Sequence, residues 1–356
     1  MDGEIRSSES RLSRRDSPRH EFVMRMVAAV LLVCGAWAQA PQIGDINLYG
    51  LRKVSAEKVL AAAGLAPGGR LPASKGDAED AIEKLSGVVL ARIDAICCEG
   101  AQAELFVGIE EKGAPHPSLR SQPEGDAHLP QELVDAYRGY LAAMAKAVAR
   151  GDAAEDLTAG HPLMAVPDVR KLQQRFLDFA GEHTAWLRDV LRSDASAEDR
   201  AIAATVIGYA PDKKEILNDL QFALQDPDDS VRANAMHALA AVGVYGQKHP
   251  DRNLRVSPTW LVELLHSILL SDRLESIKTL LILTDSGDDA TLGLIRDRAL
   301  GDLIEMARWK TLRYALPPFL LVGRVAGMKD TETESLWEKG ARETVLTRAQ
   351  ATNGRR

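Results

Sequence analysis

Between residues 43 and 113 the apolar positions change period several times, and from Pro130 onward they keep a helical one. Ile46-Asn47-Leu48 opens as a short strand. Gly50-Leu51-Arg52-Lys53-Val54 leads to Ser55, a residue type that caps helices, with Val59, Leu60 and Ala63 on one side of the helix that follows. Gly64, Pro67, Gly68 and Gly69 force a loop. Ala78, Ala81, Ile82 and Leu85 then recur at helical spacing until Ser86-Gly87 stops them. Two strands follow. In the first, Ala91, Ile93, Ala95 and Cys97 alternate with Arg92 and Asp94 on an expected solvent face; in the second, Ala103, Leu105, Val107 and Ile109 alternate with Glu104 and Glu110. The pattern predicts a small α+β unit of order β-α-α-β-β over residues 41–113. Pro115, Pro117, Pro123 and Gly125 among polar neighbours mark residues 114–129 as a linker.

Residues 130–356 read as helical throughout. Leu133, Tyr137, Tyr140, Leu141 and Met144 form one stripe; after a Gly/Asp/Pro-rich break at 151–167, Leu172, Phe176, Phe179 and Leu187 form another. An internal repeat comes next. The segment from Asp194 through Arg200 to Ile207 aligns with that from Asp226 through Arg232 to Leu239, and weaker copies lie at 275–283 and 312–320. Each copy reads as the second helix of a pair. Such pairs cannot bury their apolar faces alone and must stack. A single amphipathic helix over 332–347, with Leu336, Trp337, Ala341 and Val345 on one side, is expected to cap the array.

The first unit, with INLYGLRKVSAEKVLAAAGLAPGGRL at its start and ELFVGIEEKG at its end, resembles the POTRA domain. That resemblance implies a periplasmic module that binds other chains, often by adding a strand to its sheet edge. Family members usually carry several such modules before a membrane barrel. Here there is one, and no barrel-like series of alternating strands follows. The stretch LQDPDDSVRANAMHALAAVG is similar to the HEAT repeat, including the subclass noted in phycobilin lyases. It implies an armadillo-like helical solenoid in which Arg200, Asp229 and Arg232 tie neighbouring repeats together as a polar ladder.

A formal charge of −7, with no dense Lys/Arg run after Arg15, argues against nucleic acid or anionic lipid as a partner. Residues 27–38 are apolar, too short to span a bilayer as a stable helix, preceded by Arg25 and closed by Ala36-Trp37-Ala38. They read as a signal peptide over residues 1–38, cleaved between Ala38 and Gln39, with translation starting at Met1 or as late as Met24 or Met26. The expected location is the periplasm, with attachment to the outer membrane an option, and no later transmembrane segment.

Little in the sequence points to chemistry. Cys97 and Cys98 are adjacent, so on an extended strand they point to opposite faces; packing, an intermolecular bond through Cys98, and a vicinal disulfide or metal contact all stay open. The histidines at 116, 128, 161, 183, 237, 249 and 266 fall in no metal-ligand spacing, and nucleophile-elbow, phosphate-loop and dinucleotide fingerprints are absent. No catalytic residue, cofactor or metal is expected. Trp186, Trp260, Trp309 and Trp337 lie one to a helix; packing is the default for each, and an exposed one would anchor a peptide. The acidic runs 226–229 and 285–289 lack the calcium-loop spacing and read as helix caps. The sequence thus describes an exported scaffold that binds a protein strand at a sheet edge or a helix in a groove. The competing readings are a chromophore- or small-molecule-handling HEAT enzyme and a self-associating structural component.

Overall fold

A computed structural model describes residues 41–99 and 102–353; the expected cleavage site at Ala38 and Gln39 lies outside them. The N-terminal unit runs β1 (Gln42–Tyr49), α1 (Ala56–Ala63), α2 (Lys75–Glu83), β2 (Val88–Glu99), β3 (Gln102–Glu111). This is the order the alternation predicts. The sheet order is β1-β3-β2, with β1 parallel and β2 antiparallel to the central β3. Ser74 caps α2 by accepting from Asp77 N, and Gly64 ends α1 in the left-handed region.

The sheet has two buried faces, because period 2 sends alternate residues to opposite sides. Ile43, Ala91, Ile93, Leu105, Val107 and Ile109 pack under α1 and α2 against Val59, Ala78 and Ile82. Tyr49, Ile96 and Phe106 face the other way and join the core of the helical array. Asp94 was expected in solvent. Its face turns toward the array instead, its carboxylate accepts from the Leu270 backbone, and burial raises its pKa. Asp94 stays partly exposed, whereas Glu104 on β3 is buried.

Glu111 closes the unit. Its buried carboxylate accepts from Arg52 N at 2.8 Å, from Lys53 N at 2.9 Å and from Val54 N at 2.9 Å, so it pins the turn between β1 and α1. Burial alone would raise its pKa; the three N–H groups outweigh this and hold it below the usual carboxylate range. A depressed folded-state pKa stabilises the fold above the ordinary glutamate value and loses that contribution as pH falls through the folded value. Glu111→Gln should therefore cost about 1–3 kcal/mol at pH 7 and flatten the acid limb of stability against pH, as read by urea denaturation at several pH values.

Residues 114–129, read from sequence as a linker, are bound along the array. Arg120 N donates to Gln225 O at 2.8 Å, Gln122 Nε2 to Ala195 O at 2.6 Å, Gly125 N to Ser193 O at 2.7 Å, and Leu129 N to Asp199 Oδ2 at 3.1 Å. Polar composition made the segment look solvated. Its polar groups are in fact used at the turns that precede α5 and α7.

The array consists of α3 (Gln131–Ala149), α4 (Pro167–Ser193), α5 (Ala197–Ile207), α6 (Lys213–Ala223), α7 (Asp229–Lys248), α8 (Thr259–Glu263), α9 (Leu270–Leu283), α10 (Asp289–Arg298), α11 (Leu300–Ala307), α12 (Leu312–Val325), α13 (Asp330–Glu338) and α14 (Arg342–Asn353). The Gly/Asp/Pro-rich break holds a small hairpin, β4 (Glu155–Asp156) with β5 (Leu163–Met164). The expected cap at 332–347 is two helices, because Gly340 at φ +67° turns the chain between them. Among the described residues no helix is long and apolar enough to cross a membrane.

Candidate functional site

The predicted ladder is present with a different acidic partner. Arg200 donates from Nε and Nη2 to Asp226 at 2.9 and 2.8 Å, and Arg232 donates in the same way from Nε and Nη2 to Asp272 at 2.8 Å each. All four side chains are fully buried. Each arginine also donates from Nη1 to the carbonyl six residues before it, Asp194 O at 2.8 Å and Asp226 O at 2.6 Å. Arg273 repeats the motif, giving its Nε to Ser267 O at 2.6 Å. Asp229 accepts from Ser271 Oγ at 3.1 Å rather than from an arginine. Sequence reasoning missed Asp226, Asp272 and Arg273 as ladder members. The six-residue offset was the available signal, but the longer connection between α7 and α9 hides the third copy.

The ladder ends on the N-terminal unit. Thr311, just before α12, donates from its hydroxyl to Glu104 at 2.7 Å and accepts from Asn47 Nδ2 at 2.7 Å, while Tyr49 OH donates to Ile268 O at 2.7 Å. Phe106 lies edge-on to Trp309 and Tyr314, with centroids 5.1 and 5.2 Å away. Gly108 is where the backbones meet; a Cβ there would sit 2.5 Å from Ile268 O.

Two surfaces expected to take a partner are occupied by the chain itself. Along β2, the outward N–H groups of Ala91 and Ile93 donate to Glu83 at 3.0 Å and Glu79 at 2.7 Å. Side-chain carboxylates there block the addition of a strand. On the face formed by α5, α7 and α9, Asn234 Nδ2 donates to Tyr137 OH at 3.1 Å, and His237 Nε2 meets Glu155 at 3.2 Å. Residues of α3 and the hairpin thus cover it. Burial would raise the Glu155 pKa, yet His237 and Lys278 lower it overall. His161, in the hairpin loop, is pulled down to about 4 by burial and by Lys213, so it is neutral at physiological pH.

One stripe is only half-covered. Leu172, Arg175, Phe179, His183 and Trp186 follow each other at three- and four-residue steps along α4, which puts them on one face. The first two, with Glu132, Asp135, Ala136 and Gly139 of α3, line a groove of about 570 Å³. Nothing would meet a Cβ added at Gly139. Farther along, Phe179, His183 and Trp186 stack in series with centroids 4.6 and 5.9 Å apart. His183 departs from helical geometry at φ −126° and ψ 24°, kinking α4 under the aromatic rings. Trp186 is 37% exposed, whereas Trp309 is buried and Trp260 and Trp337 are half-buried against the core. The carboxylates of Glu132, Asp135, Asp178 and Glu182 outnumber Lys171 and Arg175 beside this stripe.

Cys97 is half-buried near the end of β2 and is disulfide-bonded; the side chain of Cys98 lies outside the described residues.

Residues 184–267 match the family described as HEAT repeats. These residues, from the second half of α4 to the turn before α9, are HEAT repeats, an architecture that in general serves as a protein-interaction scaffold. No curated protein matches the chain.

Proposed function

We propose that this HEAT-repeat chain is a non-catalytic, protein-binding scaffold of the bacterial cell envelope that holds a partner segment along α4. The Phe179–His183–Trp186 series, half-buried at Phe179 and His183 and exposed at Trp186, runs on from the α3/α4 groove and carries the reading. Aromatic side chains at the centre of an open surface are the residue types that anchor protein partners. Acidic neighbours at both ends favour a segment with one apolar stripe and Lys or Arg on its flanks, laid helix-in-groove. The β2 edge, with Glu79 and Glu83 on its donors, is a poorer place for an extended strand.

The envelope assignment rests on residues 27–38 and the small-residue site at Ala38, read as an export signal. The POTRA-like character of the first unit rests on its motifs and its β-α-α-β-β order.

The test is capture from envelope extracts with the mature chain and a Phe179→Ala/Trp186→Ala variant. Trp186 is exposed, but Phe179 packs partly against the core, so the variant should lose about 1–2 kcal/mol and stay folded, melting several degrees below the parent. It is expected to lose at least about tenfold of the specifically retained protein, since a single anchor is worth 2 kcal/mol or more. Equal retention by both proteins removes α4 as the binding surface.

A further inference from the structure

The turn that opens α5 buries a carboxylate where the ladder supplies no guanidinium. Asp194 and Asp226 are equivalent: each stands six residues before a ladder arginine and gives it a main-chain carbonyl. The Oδ1 of each accepts the N–H two residues on, Ser196 at 2.8 Å and Asp228 at 3.0 Å. At Asp226 the charge is met by Arg200 and Arg120. At Asp194, whose side chain is 0% exposed, Oδ2 has no hydrogen-bond donor. Facing it is Nδ1 of His128 at 3.4 Å, and the same nitrogen lies 3.7 Å from Oδ2 of Asp199. All three ligand-type atoms fall within 4.8 Å of one another.

We propose that His128, Asp194 and Asp199 bind a divalent transition metal, zinc fitting best, which pins residues 114–129 to the first HEAT repeat in place of a ladder arginine. The argument is one of charge and geometry. A buried carboxylate without a cation is costly, and here a second carboxylate adds to the demand. Imidazole and carboxylate are both zinc ligands, and ligands on a tetrahedral zinc stand about 3.3 Å apart, close to the distances His128 makes. Backbone groups already orient both carboxylates, since Ser196 N holds Asp194 Oδ1 and Leu129 N holds Asp199 Oδ2 at 3.1 Å. His128 is 65% exposed, which leaves the fourth position to water. Asp194 and Asp199 flank the start of α5, but His128 lies more than sixty residues before them, so no spacing motif announces the set.

Zinc chloride titrated calorimetrically into the untagged full chain at neutral pH should show one saturable equivalent. His128→Ala and Asp194→Asn should each weaken it at least about tenfold, because loss of an orienting group alone costs that much. Zinc should raise the melting temperature of the parent by a few degrees and leave that of His128→Ala unchanged. Absence of zinc binding, or equal affinity in parent and His128→Ala, overturns the proposal. His128→Ala changes an exposed side chain, so it decides the matter even if Asp194→Asn fails to fold.

Discussion

Arg232→Ala should lower the stability of the array by about 3–5 kcal/mol, the cost of leaving one partner of a buried ion pair unmatched. Arg232 and Asp272 are both fully buried and joined by two hydrogen bonds of 2.8 Å, and Arg232 also satisfies the carbonyls of Asp226 and Pro227 at 2.6 and 3.0 Å. Burial already raises the Asp272 pKa despite the arginine, and losing the arginine raises it further. Hydrophobic replacement of both partners should behave differently. A double variant, Arg232→Met/Asp272→Leu, is expected to recover most of the loss, because a packed apolar pair is often as stable as a buried ion pair. Guanidinium denaturation of the single and double variants reads the difference. A loss under about 1 kcal/mol in Arg232→Ala would mean the ladder is not structural.

The second large effect concerns the seam between the two parts. Phe106→Ala should cost about 3–5 kcal/mol, since a fully buried aromatic side chain is lost and a cavity left against Trp309 and Tyr314. The core of the N-terminal unit beneath α1 and α2 does not include Phe106. The variant should therefore undock the sheet from the array before the sheet itself unfolds, and a protease should then cut within residues 112–118 while the parent resists. Equal protease resistance in parent and variant would show that the seam contributes little.

The order of elements was legible because each carries its own period: two for β2 and β3, 3.6 for the helices. What lies on top of an element was not. Arg92 and Asp94 look like a solvent face, and alternation alone has no means of showing that the Asp94 side approaches Leu270 across more than a hundred residues. The same blindness covers residues 114–129, whose prolines and polar groups fit a loose linker until Arg120 and Gln122 are seen on the backbone of the array. Within the ladder, Arg200 and Arg232 were found from a 32-residue repeat. The HEAT resemblance implies Asp229 as the ladder acid, whereas the arginines reach Asp226 and Asp272. Trp186 stood out among the four array tryptophans only once burial separated it from Trp309.

The central claim is that a partner lies along α4. A photoreactive phenylalanine analogue placed at position 186, and separately at Val89 on β2, which is 53% exposed, tests it in living cells. The account predicts a single cross-linked protein band from position 186 and none from position 89. Cross-links from position 89 alone would contradict it and return the binding site to the sheet edge.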